Sequence, residues 1–183
     1  MVLYVGTKPQ AQLVIEEEAK RAGMFFVNAR WLGGCLTNYQ TIKNSIKRYK
    51  QLITMRTDGT FEALTKKEVA DLEKEITKHE KNLIGIAEMG RLPGAMFVID
   101  AKKEDIAIKE ANRLGIPVIA IVDTDSDPDM VQFPIPANDD AIRSIRLITK
   151  VFTDSLIEGL QKAKASQPVG ADKDSEAVLS ENR

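Results

Sequence analysis

The chain has 183 residues, 43% of them hydrophobic and 29% charged, which suits one α/β domain with an appendage and a substantial core. Its single cysteine, Cys35, excludes an intrachain disulfide and a cysteine-based zinc site, and fits a reducing compartment. No apolar run reaches the roughly 18 residues that a membrane-spanning helix needs, and no secretory signal is recognisable.

The net charge of −1 hides a strong asymmetry along the chain. Residues 1–56 carry nine Lys or Arg and three acids, a net charge of +6, whereas the remainder carries 17 basic and 24 acidic residues, a net charge of −7. A basic segment of this kind predicts a surface that faces a polyanion. A solvated helix face explains the same charges equally well.

The first elements are typical of a strand–helix–strand unit. VLYV at 2–5 reads as a buried strand, Pro9 suits the first turn of a helix that closes by Gly23, and MFFV at 24–27 reads as a second strand. This order predicts a parallel strand pair with a right-handed crossover. Met1 leads directly into the first strand, so we expect that a preceding segment is missing.

Two helices with narrow apolar stripes follow. Thr37 and Gln40 have the T-x-x-Q spacing of a capping box, which predicts a helix start there. A turn at Asp58-Gly59 separates the two stripes, whose members are Tyr39, Ile42, Ile46, Tyr49 and Ile53, then Val69, Leu72, Ile76, His79 and Leu83. We predict an antiparallel helical hairpin at 37–84 that is too narrowly striped to cover a sheet and projects from the domain.

The α/β pattern then resumes to the end of the ordered chain. We predict strands at 96–100, 117–122 and 133–135, a helix at 104–114, and a last helix capped by Asn138-Asp139-Asp140. The buried stripe predicted for that helix is Ile142, Ile145, Ile148, Val151, Phe152 and Leu156.

Together these elements predict a Rossmann-like (flavodoxin-like) α/β fold, a parallel sheet with flanking helices and an inserted helical hairpin. Residues 1–36 and 85–164 form the α/β core, and 37–84 form the hairpin. Residues 165–183 lack aromatics and periodicity, which predicts a disordered tail.

Two segments resemble ligand sites only weakly. VGTKPQ follows the first strand but matches neither dinucleotide-binding nor P-loop spacing, so Lys8 is predicted as an RNA-phosphate contact instead. DTDSDPD fails as a calcium loop because Pro128 and Pro134 stand at its sixth and twelfth positions. A turn that hydrogen-bonds its own backbone is favoured, and a cation is left open at Asp123, Asp125, Asp127 and Asp129.

No catalytic constellation is visible. Cys35 has only His79 in the whole chain as a possible base, and His79 belongs to the hairpin. We therefore assign no catalytic residues and no metal ligands.

The basic residues of the first hairpin helix carry the binding prediction. Lys43 and Lys47 are four residues apart and share one face, Arg48 and Lys50 flank it, and no acid occurs from residue 38 to 56. Like charges at this spacing destabilise a helix, a cost that a bound polyanion would offset.

Before this helix, Arg30 and Trp31 offer a guanidinium and a ring for phosphates or bases. Trp31 can equally pack at the base of the hairpin. Gly33 and Gly34 are predicted to form the hinge where the hairpin leaves the sheet.

Long segments of the chain carry a family resemblance. They are NARWLGGCLTNYQTIKNSIKR, LTKKE, GI-x-x-MG-x-LP at 85–93, FVID, KEDIAIKEANRLGIPVIAIVDTDSDPD and FPIPANDDAIRSIRL. In this order they resemble bacterial and organellar small-subunit ribosomal protein S2, over residues 2 to about 160.

The resemblance implies a Rossmann-like sandwich with a protruding hairpin, no enzyme activity and no cofactor. It implies binding to small-subunit ribosomal RNA and to neighbouring ribosomal proteins, including the large one that recruits messenger RNA. The expected location is the ribosome, in the cytoplasm or in an organelle. Neither a membrane nor a small-molecule substrate is expected as a partner.

The chain departs from the family pattern in three places. The aromatic and basic segment that normally precedes the first strand is not seen, Asp125 replaces the usual Asn, and Cys35 stands where Met is common. Two other functions stay open on the residues alone. One is a flavodoxin-like or sugar-phosphate-binding domain that holds a small phosphorylated ligand, and the other is an adaptor that uses the hairpin as a coiled-coil partner.

Overall fold

The structure, a computed structural model, describes residues 1–165. The elements are β1 (Val2–Val5), α1 (Pro9–Arg21), β2 (Phe25–Val27), α2 (Tyr39–Thr57), α3 (Lys66–Leu83), β3 (Ala95–Ile99), α4 (Asp105–Arg113), β4 (Val118–Val122), β5 (Phe133–Pro136) and α5 (Ile142–Ala165). All strand pairs are parallel, in the order β2-β1-β3-β4-β5. The predicted parallel α/β fold is confirmed. The tail from residue 166, predicted to be disordered, lies outside the described residues.

Helices cover both faces of the sheet and form two cores. On one face, α1 and α5 pack over Tyr4, Phe97 and Ile121. On the other face, α4 and the base of the α2–α3 hairpin pack over Leu3 and Val98. Because both faces are covered, the central strands are apolar at every position, which is why they read as continuous apolar runs in the sequence.

The base of the hairpin is part of the second core. Tyr39, Ile42 and Ile46 of α2 are buried in the same cluster as the sheet residues, together with Leu83 and Ile86 of the returning leg. The prediction that neither hairpin helix packs on the sheet is therefore wrong for the first two turns of α2. Beyond those turns the two helices contact each other, and Leu52 and Ile76 fill their interface.

The capping box predicted at Thr37 and Gln40 is wrong. Helix α2 begins at Tyr39 with Asn38 at its N-cap position, and no side chain caps it. Thr37 instead directs its hydroxyl and its backbone N–H to Glu110 of α4. A capping box does occur at the start of α3, where Thr65 and Glu68 bond each other's backbone N–H groups.

The buried stripe of α5 is rotated from the predicted one. Ile145 is fully buried, but Ile142 and Val151 are more than half exposed, and Thr149 and Thr153 are buried in their place. Each threonine hydroxyl donates to the carbonyl four residues earlier, which satisfies it inside the core.

The predicted cap before α5 is present. The Asn138 side-chain oxygen accepts bonds from the N–H groups of Asp140 and Ala141. Among the described helices, none combines the length and the apolarity that a membrane crossing requires.

Candidate nucleic-acid interface

A basic ridge runs along one side of α2. It consists of Lys43, Lys47 and Lys50, which succeed one another at four- and three-residue spacing and are all exposed. The ridge borders a shallow groove of about 670 Å³, whose other lining residues are Ile46, Gln51, Thr54 and Met55. The α2 ridge thus combines a row of ammonium groups with a trough beside it.

The α2 ridge is only partly neutralised by the protein itself. Lys50 Nζ lies 2.8 Å from a carboxylate oxygen of Glu88, and Lys43 Nζ lies 4.9 Å from the centre of the Tyr39 ring. Lys47 has no ion-pair or hydrogen-bond partner among residues 1–165. An unpaired lysine beside a second one on the same helix face favours an anion from outside the chain.

Arg48 points to the other side of α2, toward α3. Its guanidinium donates from Nε to Glu75 Oε1 at 3.0 Å and from Nη2 to Oε2 at 3.2 Å. The hydrogen bond from Arg48 lowers the pKa of Glu75. His79 Nε2 lies 3.6 Å from the same carboxylate, so the only histidine of the chain belongs to this hairpin contact.

The segment before α2 is held by one carboxylate, that of Glu110 on α4. Its Oε1 accepts bonds from the Trp31 indole N–H at 3.0 Å and the Gly34 backbone N–H at 2.7 Å. Its Oε2 accepts three more, each at 3.0 Å, from the backbone N–H groups of Leu36 and Thr37 and from the Thr37 hydroxyl. We call this arrangement of five donors on one carboxylate the Glu110 clamp.

The clamp also determines the ionisation of its neighbourhood. Burial opposes the charged form of Glu110, but the hydrogen bonds from Thr37, Trp31, Leu36 and Gly34 outweigh it and lower the pKa of this carboxyl. Burial, together with the nearby Glu110 charge, raises the pKa of the Cys35 thiol to about 12. Cys35 is therefore a protonated core residue at neutral pH and no nucleophile.

The predicted RNA contacts Arg30 and Trp31 stand at the base of the hairpin. Arg30 is exposed and has no hydrogen bond or ion pair within residues 1–165. Trp31 is half-buried, packs against the core and donates its indole N–H to Glu110. The geometry thus matches the packing reading of Trp31 more closely than a ring free to stack on a base.

The two predicted hinge glycines differ. Gly34 has a φ of +81°, a conformation that favours glycine, and a Cβ added there would lie 3.1 Å from the Asn38 Cβ, a tight contact. Gly33 has no atom within 4 Å of an added Cβ and an ordinary backbone. On the returning leg, a Cβ at Gly85 would run into the Phe26 carbonyl, which shows how closely this leg approaches β2.

Lys8, the other predicted RNA contact, is enclosed by acids. Its ammonium lies 3.2 Å from Asp100 Oδ2, 2.7 Å from Asp139 Oδ1 and 2.5 Å from Asp140 Oδ1, and only 15% of its side chain is exposed. Burial opposes the charge, but hydrogen bonds to these carboxylates raise the pKa of Lys8. This ammonium is compensated within the protein, so its geometry does not favour a phosphate contact.

The same edge of the sheet is where ligands bind in folds with this strand order, between the carboxyl ends of β1 and β3. Here Glu104 occupies it: its Oε1 accepts bonds from the Thr7 backbone N–H at 2.9 Å and the Thr7 hydroxyl at 2.6 Å. The chain's own carboxylate thus takes donors that a phosphate would need. With Asp100 and Asp139 nearby, nothing in this edge favours a phosphorylated ligand.

The aspartate-rich turn is held by its own backbone. The side chains of Asp123 and Asp127 accept bonds from the N–H groups of Thr124 and Asp129, and Asp125 pairs with Lys102 at 3.0 Å. Within the described residues, no group of three or more His, Cys, Asp or Glu is arranged to hold a metal ion. The self-bonded turn explains these aspartates.

Two features of the structure are not evident in the sequence. Glu110 looks like an ordinary acid in an amphipathic helix, because its partners lie 73 to 79 residues earlier in the chain. A second basic row, Lys74, Lys78 and Lys81, lies on the outer side of α3 around a groove of about 410 Å³. Its four- and three-residue spacing is readable in the sequence, but intervening acids mask it.

A comparison with protein families gives a match over nearly all of the described chain. The model of the family described as Ribosomal protein S2 matches residues 1–159, which include the sheet, the Glu110 clamp and the whole hairpin.

Proposed function

Because the chain belongs to the ribosomal protein S2 family, we propose that it is a structural constituent of the small ribosomal subunit and binds ribosomal RNA through the α2 ridge. The family is structural and non-enzymatic, in keeping with the buried, protonated Cys35 and the engaged His79. In this role the sandwich is a rigid platform, and the hairpin presents cationic side chains to phosphates.

The observation that carries the proposal is the uncompensated charge of Lys43 and Lys47. Both ammonium groups are exposed, lie on one helix face and have no acidic partner within residues 1–165. Their mutual repulsion destabilises α2 by about 0.2–0.5 kcal/mol in the free protein. Two RNA phosphates bound at these lysines would remove that repulsion, and binding would release the counterions held by the phosphates.

The other predicted contacts contribute unequally. Arg30 is exposed and unpaired among residues 1–165, so it serves as a phosphate contact at the base of the hairpin. Arg48 must first leave Glu75, which costs little because an exposed ion pair contributes about 0–1 kcal/mol. Trp31 contributes by packing, and we assign Lys8 no part in RNA binding.

The proposed partners are small-subunit ribosomal RNA and the neighbouring proteins of the subunit, among them the large one that recruits messenger RNA. The location follows from the partners: the ribosome, in the cytoplasm or in an organelle. The net positive charge of residues 1–56, which include α2, supports RNA as a partner of the first hairpin helix.

The proposal is tested by incorporation of variants into small subunits in competition with the unchanged protein. The double substitution Lys43→Gln with Lys47→Gln is expected to reduce co-sedimentation with the subunit at physiological salt, because two phosphate contacts are lost. Its thermal stability should equal or slightly exceed that of the unchanged protein, since repulsion along α2 is relieved.

A matched control removes two lysines that already have partners. Lys20 pairs with Glu16 at 2.6 Å on α1, and Lys109 pairs with Asp105 at 2.7 Å on α4. The double variant Lys20→Gln with Lys109→Gln has the same net charge change and is expected to incorporate normally. Equal incorporation of both double variants would reject the α2 ridge as the RNA contact.

A further inference from the structure

We propose that Glu110 is a positioning residue for RNA binding: its carboxylate fixes the direction in which α2 leaves the sandwich. This inference rests on the proposed function only in saying that the direction of α2 serves RNA binding. The positioning itself is a property of the protein alone and is tested without RNA.

The clamp joins a rigid element to the start of the hairpin. Glu110 belongs to the buried face of α4, which is anchored in the core by the fully buried Ala107, Ile108 and Ala111. Its five hydrogen-bond donors lie between residues 31 and 37, and α2 begins at Tyr39. One carboxylate therefore ties the last residues before the hairpin to the body of the sandwich.

Most of the remaining contacts at the base are apolar and do not by themselves fix the angle of the hairpin. Ile42, Ile46, Leu83 and Ile86 pack on the sheet through apolar contact, which is non-directional. The Tyr39 hydroxyl donates to the carbonyl of Met89, a buried core residue beyond the end of the hairpin, and adds one directional contact at the start of α2. Hydrogen bonds to a carboxylate are directional and strong, and the clamp has five of them, so it contributes most to the orientation of α2.

The chemistry of the site requires glutamate. Five donors converge on two oxygens, and only an ionised carboxylate accepts on both without donating. A glutamine would turn its NH₂ group toward donors, and an aspartate is one methylene too short to reach from α4. Two of the donors, the Trp31 indole and the Thr37 hydroxyl, are side chains and can be removed singly.

Along the chain, the clamp lies between the proposed phosphate contact at Arg30 and those of the α2 ridge. Arg30 precedes its first donor, and Lys43 follows its last by six residues along the chain. The clamp thereby sets the spacing between the base contact and the α2 ridge. A hairpin free to swing would present the same charges at variable spacing and would bind a fixed array of phosphates more weakly.

The first experiment measures the direction of the hairpin in the isolated protein. Spin labels are placed at Ala63→Cys, near the hairpin tip, and at Leu13→Cys, exposed on α1, in a Cys35→Ala background. Double electron–electron resonance then gives the distribution of distances between them. Glu110→Gln is expected to broaden or shift this distribution.

The matched control is Glu104→Gln. Glu104 is also a buried carboxylate that accepts a backbone N–H and a hydroxyl, but from Thr7 within the sandwich. Glutamine keeps the oxygen that accepts both bonds, and burial raises the pKa of Glu104, so this variant should change the melting temperature little and leave the distance distribution unchanged. If Glu110→Gln lowers stability without altering the distribution, Glu110 only stabilises the fold and the proposal is wrong.

Milder variants cover the case in which Glu110→Gln does not fold. Trp31→Phe and Thr37→Val each remove one donor and keep the packing, so each should broaden the distribution less than Glu110→Gln. An unchanged distribution in both variants would likewise overturn the proposal.

A pH profile separates positioning from general stability. Hydrogen bonds hold the pKa of Glu110 below its ordinary value of 4.5, so the clamp is complete above pH 4.5 and is lost as the pH falls through the lower value in the folded state. Trp31 is the only tryptophan, and its fluorescence should report this acid transition. Cys35 stays protonated throughout the range. A transition of the same size in Glu110→Gln would contradict the assignment.

Incorporation into small subunits tests the second part of the proposal, that the direction of α2 matters for RNA binding. Glu110→Gln should co-sediment less than Glu104→Gln although both keep every lysine of the α2 ridge. Normal incorporation of Glu110→Gln would reject the link to RNA binding while leaving the proposed role of Lys43 and Lys47 intact.

Discussion

The carboxyl edge of the sheet and the outer side of α2 both carry lysines that look alike in the sequence, yet the protein treats them in opposite ways. Lys8 is surrounded by Asp100, Asp139 and Asp140, and Lys47 has no partner among the described residues. The difference teaches that a lysine with its counter-charges inside the protein belongs to the architecture. A lysine without them is available to a partner.

The two regions also differ in what the loss of a lysine costs in stability. Removing one partner from a buried ion network leaves uncompensated charges in a poorly solvated site, which is costly. Removing an exposed, unpaired lysine leaves no unpaired carboxylate in the protein and relieves the repulsion between neighbouring lysines. A substitution at Lys8 should therefore lower stability more than RNA binding, and a substitution at Lys47 should lower RNA binding more than stability.

The largest effect is expected at Lys8. Lys8→Met leaves Asp100 and Asp139, whose side chains are 11% and 5% exposed, without their shared cation. The free energy of unfolding should fall by about 3–5 kcal/mol, as for other broken buried pairs. Chemical denaturation at neutral pH measures it.

The control for this prediction is Lys20→Met, which breaks an exposed pair with Glu16. It should cost only about 0.3–0.5 kcal/mol. A loss at Lys8 no larger than at Lys20 would mean that the carboxyl edge is not a closed ion network, and the contrast with α2 would collapse.

A smaller effect is expected at the glycine pair before α2. Gly34→Ala forces a left-handed backbone on a residue with a Cβ, at about 1–2 kcal/mol, and brings that Cβ against Asn38. Gly33→Ala meets no atom within 4 Å and should be neutral or stabilising by up to about 1 kcal/mol. Equal losses at both positions, measured by thermal unfolding, would contradict the assignment of the turn to Gly34 alone.

Much of the fold could be predicted because its signals are local. The strands read as short apolar runs, since a sheet covered on both faces buries every position of its central strands. The hairpin was evident from its stripes and from the turn at Gly59. The stripe of α5 was misplaced because Thr149 and Thr153 hide their hydroxyls by bonding their own helix, which makes polar residues suitable for a core.

The candidate site was less predictable because its decisive contacts are distant in the chain. Lys43 and Lys47 were recognisable from spacing alone. Nothing near Lys8 announced its acids, which follow 92 to 132 residues later. Likewise, the role of Glu110 as a hydrogen-bond acceptor is evident only in the folded chain, where residues 31–37 lie against α4.

The most direct test of the account is the salt dependence of binding to small-subunit ribosomal RNA by the two double lysine variants. For Lys43→Gln with Lys47→Gln, the slope of log affinity against log salt concentration should flatten by about two, roughly one for each lost phosphate contact. For Lys20→Gln with Lys109→Gln, whose lysines are already paired, the slope should match that of the unchanged protein. Identical slopes for the two variants would contradict the claim that the uncompensated α2 ridge binds the RNA.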